Sequence, residues 1–325
     1  MKKTAVIKLI IYSFTALLLT AILTVGILFD YGVFRYMTSG IIKYEEKEES
    51  GFSPADSDTM TFTNIDSISV EWTAGEVIIQ KGDGNTVTVS ENAGFEMNDS
   101  QKMRFSQNGN KLKIKFCKPI LRWGSGTYNV WSKELTVTLP EKLYDSVSVE
   151  TVSASVDIYD LKAKELDIET VSGDITLSGV DVSSLDCESV SGDFDAEDVS
   201  AADAAYETVS GSMNFNGTIS KVGSFDSVSG NMNLRLPPDK YYALDMNTFS
   251  GKTTVSGNNN VNNDDNRPGA VNISMDSFSG NITFSSNIVS VYNTDEIVSA
   301  YHSDKEDLSS LPENLQQAVS VLFGE

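Results

Sequence analysis

Histidine is almost absent from this 325-residue chain: the single copy, His302, sits in the polar stretch Tyr301-His302-Ser303-Asp304. That leaves little room for histidine-based triads or His-rich metal sites. Basic side chains are scarce as well, with 24 Lys plus Arg against 46 Asp plus Glu and a formal charge of −22. The first 29 residues hold three lysines and no acid, so residues 30–325 sum to −25. Such a balance argues against nucleic acid, whose binding depends on basic groups displacing counterions from phosphate. It suits a self-repelling surface that faces water or cations. Only two cysteines occur, Cys117 and Cys187, and phosphate-loop and zinc-finger motifs are missing. The cysteines are 70 residues apart, which leaves one disulfide open without making it the expectation.

Charge is missing altogether from Leu9 to Phe29. As a helix these 21 residues span roughly 32 Å, about one bilayer core. Residues 9–29 are therefore expected to form a transmembrane signal anchor. The alternative, a cleaved secretory signal, has a shorter apolar run and a small-x-small site, whereas this run ends in Gly-Ile-Leu-Phe-Asp-Tyr-Gly. Lys2, Lys3 and Lys8 precede it, placing residues 1–8 in the cytoplasm and everything after Asp30 outside a single-pass cell-membrane protein. Residues 30–60, with the charge run Lys43 to Glu49, read as a linker.

The body of the chain is a repeat. The words are Glu150-Thr-Val-Ser-Ala154, Glu169-Thr-Val-Ser-Gly173, Glu188-Ser-Val-Ser-Gly192, Glu207-Thr-Val-Ser-Gly211, Asp226-Ser-Val-Ser-Gly230, Asn247-Thr-Phe-Ser-Gly251 and Asp276-Ser-Phe-Ser-Gly280. The first five are spaced by 19, the sixth follows after 21 and the seventh after 29, across an Asn-rich insertion from Asn258 to Gly269 that reads as a loop. Glu71-Trp-Thr-Ala-Gly75 resembles a degenerate earlier copy.

Counted from the final Gly or Ala, positions −7 and −5 are mostly apolar (Leu166 and Ile168, Leu185 and Cys187), with polar residues between them. Positions +2 and +4 are mostly apolar again, as in Ile175 and Leu177. This is strand alternation with one buried face. The switch from odd to even offsets requires the pleat to flip, placed here between −3 and −2. Short strands stacked like over like every 19 residues predict an all-β, single-chain β-solenoid (β-helix) over 61–290, irregular to about residue 140. A sandwich or propeller is the competing architecture, but a sandwich has no reason for a constant short period. Ala154 in the glycine column points to crowding there rather than to positive φ. Cys187 falls in a core column and reads as a small buried hydrophobe. In the tail, 291–325, Ser310-Leu-Pro-Glu313 resembles a capping box ahead of Leu315, Ala318, Val319 and Leu322, which predicts a short helix closing the last rung.

Position −4 carries the candidate site: Glu150, Glu169, Glu188, Glu207 and Asp226, continued by Asn247 and Asp276. Alternation turns this column outward, and stacking puts neighbours about 5 Å apart, where like charges repel by about 1 kcal/mol even in water. Two readings stand. The column is a solvated ridge that maintains solubility, or it is an electronegative face for a divalent cation, a cationic peptide or an envelope protein. Residues 150–207 add to the field with 16 acids against two lysines. The serine column at −1, Ser153 to Ser279, has no base beside it and reads as corner hydrogen bonding rather than a set of nucleophiles. A carbohydrate-active β-helix enzyme is the alternative function. It calls for a local acid and base cluster that breaks the repeat, whereas these acids are spread evenly. No cofactor and no catalysis are expected.

The Glu-Thr-Val-Ser-Gly-Asp words, with Leu139-Pro140 and Leu236-Pro237 each 14 residues before Ala154 and Gly251, resemble a bacterial domain-of-unknown-function family named as putative adhesin with β-strand repeats. The resemblance covers roughly residues 60–290, and the anchor-plus-solenoid layout is similar to LiaG-type proteins of Gram-positive envelope-stress operons. It implies a β-helical, extracytoplasmic domain. Related LiaX-type proteins imply a link to cationic antimicrobial peptides. No functional residues carry over.

Overall fold

The computed structural model describes residues 51–117, 132–257, 261–262 and 269–286. Every helix or strand in those residues is a β-strand, and all the strands belong to one continuous sheet wound into a solenoid-like domain. Among the described residues no helix is long and apolar enough to cross a membrane. The expected anchor at 9–29, most of the linker and the capping helix lie outside them.

Parallel registers rule out a sandwich. Glu150 lies opposite Glu169, Glu169 opposite Glu188, Glu188 opposite Glu207, and Glu207 opposite Asp226. Past the corner, Val156, Ile175, Phe194, Met213 and Met232 form a second ladder in the same order. Each rung thus buries its apolar columns against its neighbours, and fully burying one such side chain is worth about 1.5–3 kcal/mol. Glu71-Trp-Thr-Ala-Gly75 joins the stack, Glu71 on Glu150 and Gly75 on Ala154.

The last two words are not stacked in chain order. Met213–Ser229 pairs with Val271–Ser279, which in turn pairs with Tyr242–Ser250. The seventh word therefore sits between the fifth and the sixth. The chain lays Tyr242–Ser250 one place further out and returns to fill the gap, using the longer interval that contains the Asn-rich insertion. Repeat spacing cannot distinguish this from simple succession, because either order places like residues over like.

The pleat also flips one residue later than expected. Thr151 is buried, Val152 half-buried and outward, Ser153 exposed and Ala154 buried. Two consecutive outward residues, −2 and −1, form the corner, and the hydroxyl at −3 goes inside. Crowding at the glycine column is confirmed: a Cβ on Gly192 would lie 2.2 Å from the Gly173 carbonyl oxygen, and one on Gly211 2.0 Å from that of Gly192.

Cys187 is fully buried between Ile168 and Tyr206, and burial pushes its thiol well up. Neither Cys117 nor Cys187 forms a disulfide. At the N-terminal end the stack is closed by antiparallel pairs, Thr59–Phe62 with Val87–Asn92, and Arg104–Asn108 with Lys111–Lys115. The second pair turns at Asn108-Gly109, with Gly109 at φ 61. Pairing starts at Ser53–Pro54, against Arg104–Asn108, ahead of residue 61 where the sequence places the start of the domain. Beneath this cap Lys133 and Glu91 form an ion pair with both side chains at 0% exposure.

Candidate functional site

The predicted acidic column exists as a continuous outward line, and neighbouring strand spacing sets its rise at about 4.8 Å per rung. In spatial order it reads Glu71, Glu150, Glu169, Glu188, Glu207, Asp226, Asp276, Asn247. Its first member is neutralised, Glu71 pairing with Lys113 and Lys115. Among the described residues no ion pair reaches Glu150, Glu169, Glu188, Glu207 or Asp226. These carboxyls are half-buried rather than fully solvated.

Burial penalises the charged form first, and stacked neighbours add repulsion. Both raise Glu188 to about 7, its neighbours being Glu169 and Glu207. Asp226 is raised to about 7 by burial, then by Asp276 and Glu207. Glu150, Glu169 and Glu207 are raised by burial and then by nearby acids, with Lys113 acting in the other direction on Glu150. On the same side, Asp167 and Asp186 at −6 are raised too, chiefly by burial.

The acids past the corner behave differently. Asp174 Oδ1 accepts the Asp193 amide N–H at 2.9 Å, and Asp193 Oδ1 accepts that of Ser212 at 2.8 Å. Asn214 Nδ2 donates to Asp195 Oδ1 at 2.8 Å, and Asn216 Nδ2 to Glu197 Oε1 at 2.6 Å. These carboxylates tie one rung to the next. In sequence Asp193, Asp195 and Glu197 look no different from the other acids; the clue was the 19-residue step from Asp174 to Asp193 and from Asp195 to Asn214.

Sequence reasoning also passed over position −3, a hydroxyl in every word. Thr151 Oγ1 lies 2.9 Å from Thr170 Oγ1, and Thr170 Oγ1 accepts the Gly173 N–H at 2.9 Å. Thr208 and Ser227 are fully buried in the same line. The −1 serines act at the corner, Ser153 Oγ donating to the Thr73 carbonyl and Ser172 Oγ to that of Val152. Position −2 is apolar and outward, valine from Val152 to Val228 and then phenylalanine at Phe249 and Phe278.

Among the described residues no three Asp, Glu, His or Cys side chains converge as metal ligands would. The column is a line of separated carboxyls, one per rung.

The raised carboxyls set the sign of a pH effect. A carboxyl with a raised pKa contributes stability that is complete below its unfolded value, 4.5 for Glu, and is lost as pH rises through the folded value, about 7 for Glu188. Asp66 and Glu141, lowered by their lysine partners, oppose this, but both pairs are open to solvent and screened by it. The midpoint of thermal unfolding is expected to be higher at pH 5.5 than at pH 8. A scan at the two pH values checks it, and the opposite order would contradict the stacked-carboxyl account.

Parallel coils that present one polar ladder and bury another define the class of protein: an all-β, solenoid-like repeat domain. Residues 65–283 match the Toastrack DUF4097 family model, so the chain belongs to that family. This is the family that the repeated words resemble. No curated protein matches the chain. Among solved structures it is similar to a putative cell adhesion protein from Clostridium sporogenes, at 10% identity and TM-score 0.33, over 72% of this chain and 100% of that one. It is also similar to putative adhesins from Bacteroides fragilis (13% identity, TM-score 0.39, 72% and 99% covered) and Parabacteroides merdae (9%, 0.40, 72% and 95%).

Proposed function

We propose that this protein is a non-catalytic interaction module of the bacterial cell envelope, held outside the membrane by its N-terminal anchor. It binds a cationic partner through the column Glu150, Glu169, Glu188, Glu207 and Asp226, in envelope stress sensing or adhesion. The observation that carries this reading is the division of labour among the acids. Those past the corner accept structural hydrogen bonds, whereas the −4 carboxyls from Glu150 to Asp226 are stacked at a cost and, among the described residues, form no ion pair. A fold that only needed solubility could place the same charge where it is fully solvated, and a bound polycation would relieve both burial and repulsion. A polysaccharide-cleaving enzyme would instead need an acid and base pair converging on one bond, and turnover of cell-wall glycan by the purified chain would sink the present reading.

The test is calorimetric titration with a lysine decapeptide. Because the carboxyls of Glu188 and Asp226 titrate near 7, affinity is expected to rise between pH 6 and pH 8. It is expected to fall as salt shortens the screening length from about 10 Å at 0.1 M to about 3 Å at 1 M. Binding insensitive to both, or no binding, would reject the proposal.

A further inference from the structure

Beside the carboxyls runs the apolar column at −2, which a purely ionic partner leaves unused. Val190, Val209 and Val228 are half-buried and face outward, and Phe278 and Phe249 close the line at 39% and 66% exposure. The two rings stack with centroids 5.1 Å apart and planes 9° apart, so they form one exposed apolar plate. The −4 and −2 columns are two residues apart along each strand, about 7 Å, and both repeat at about 4.8 Å along the solenoid axis.

We infer that this double stripe docks an amphipathic α-helix whose apolar stripe is flanked by a basic one, laid along the solenoid axis. The inference rests on the electronegative face proposed above and specifies the partner's shape. A helix advances 5.4 Å per turn, so one turn meets one rung with a drift of about 0.6 Å, and five rungs accumulate only about 3 Å. Successive residues of a helix differ by about 100° in azimuth and their side chains reach about 5 Å from the axis, so adjoining stripes lie about 7–8 Å apart, close to the lateral separation of the two columns. A basic residue over each −4 carboxyl and an apolar one over each −2 valine can therefore be satisfied together for about 18 residues. Charge selects against the chain's own C-terminal segment: residues 287–325 carry seven acids and one lysine. A second copy of the same face is repelled for the same reason.

The test uses the full chain in zwitterionic nanodiscs, with binding to empty discs subtracted. Two labelled peptides of about 18 residues share one Lys and Leu composition. In the first, lysine and leucine occupy adjoining stripes of a helix; in the second the order is scrambled so that they mix around it. The striped peptide is expected to bind about tenfold more tightly. The variant V190T/V209T/F278T, which keeps β-branched residues at the two valine sites, should abolish that difference and leave the scrambled peptide unaffected. Equal binding of the two peptides to the unsubstituted chain needs no variant and would overturn the inference, with the electronegative-face reading intact. Binding of neither would overturn both. A preference that emerges only after removal of 287–325, or a dimer that the variant dissociates, would assign the stripe to the chain's own tail or to a second copy and overturn the inference as well.

Discussion

Replacing Lys133 by Met is expected to cost about 3–5 kcal/mol, the usual penalty for leaving one partner of a buried ion pair alone. The ammonium donates to Glu91 Oε2 at 2.9 Å, to the Gln101 carbonyl at 2.8 Å and to the Phe116 carbonyl. It also lies over the Trp72 and Phe116 rings, at 4.8 and 4.2 Å. Burial lowers its pKa, and Glu91 acts in the other direction. Glu91 in turn accepts the Met103 N–H at 2.8 Å, and Trp72 Nε1 donates to the Lys133 carbonyl at 3.1 Å. One cluster thus fastens the antiparallel cap to the first rungs. Adding Glu91→Gln to Lys133→Met should recover part of the loss, because glutamine can still accept from Met103 without leaving a buried charge. Urea unfolding followed by circular dichroism checks both, and a single substitution costing under about 1 kcal/mol would refute the role given to the pair.

The second large effect is Gly192→Ala. The new methyl would lie 2.2 Å from the Gly173 carbonyl oxygen, and backbone cannot rotate aside as a side chain can. The ladder must open locally, which also strains the bond from the Gly192 N–H to the Ser210 carbonyl. Overpacking of this kind costs about 1–3 kcal/mol, and the upper end is expected here because the obstacle is main chain. Gly84→Ala is the internal control: its nearest neighbour would be 3.9 Å away, and a change within about 0.5 kcal/mol is expected. Equal effects at the two sites would show that the glycine column is not packed as described.

The solenoid was legible because stacking converts a chemical requirement at one position into a word that returns every coil. Glycine returns because the next backbone touches it, and Leu166, Leu185 and Ile168 because they face inward. What escaped was whatever repetition leaves degenerate. The exchange of the last two words keeps Asp276 and Asn247 in the same column, so spacing cannot reveal it. The inward −3 hydroxyls were missed because threonine and serine also suit an outward position; their place is settled by the bend after Val152, a backbone feature. The acids were legible as a column but not as two populations. Glu188 and Asp193 differ in burial, half-buried against exposed, and in what the neighbouring rung offers them, carboxyls in one case and an amide N–H in the other. The Lys133 and Glu91 pair joins non-repeating strands 42 residues apart, beyond the reach of any periodicity.

The claim that the −4 column is the binding surface, rather than one part of a generally acidic protein, is tested most directly by two variants of equal charge. E169Q/E188Q/E207Q removes three column carboxylates. D174N/D193N/D195N removes three from the corner and the second side while keeping the oxygens that accept from Asp193, Ser212 and Asn214. Titrated with the same lysine decapeptide, the first variant should lose about tenfold or more in affinity and the second should stay within about twofold of the unsubstituted chain. Equal losses in the two variants would show that the partner responds to net charge and that the column has no special part in binding.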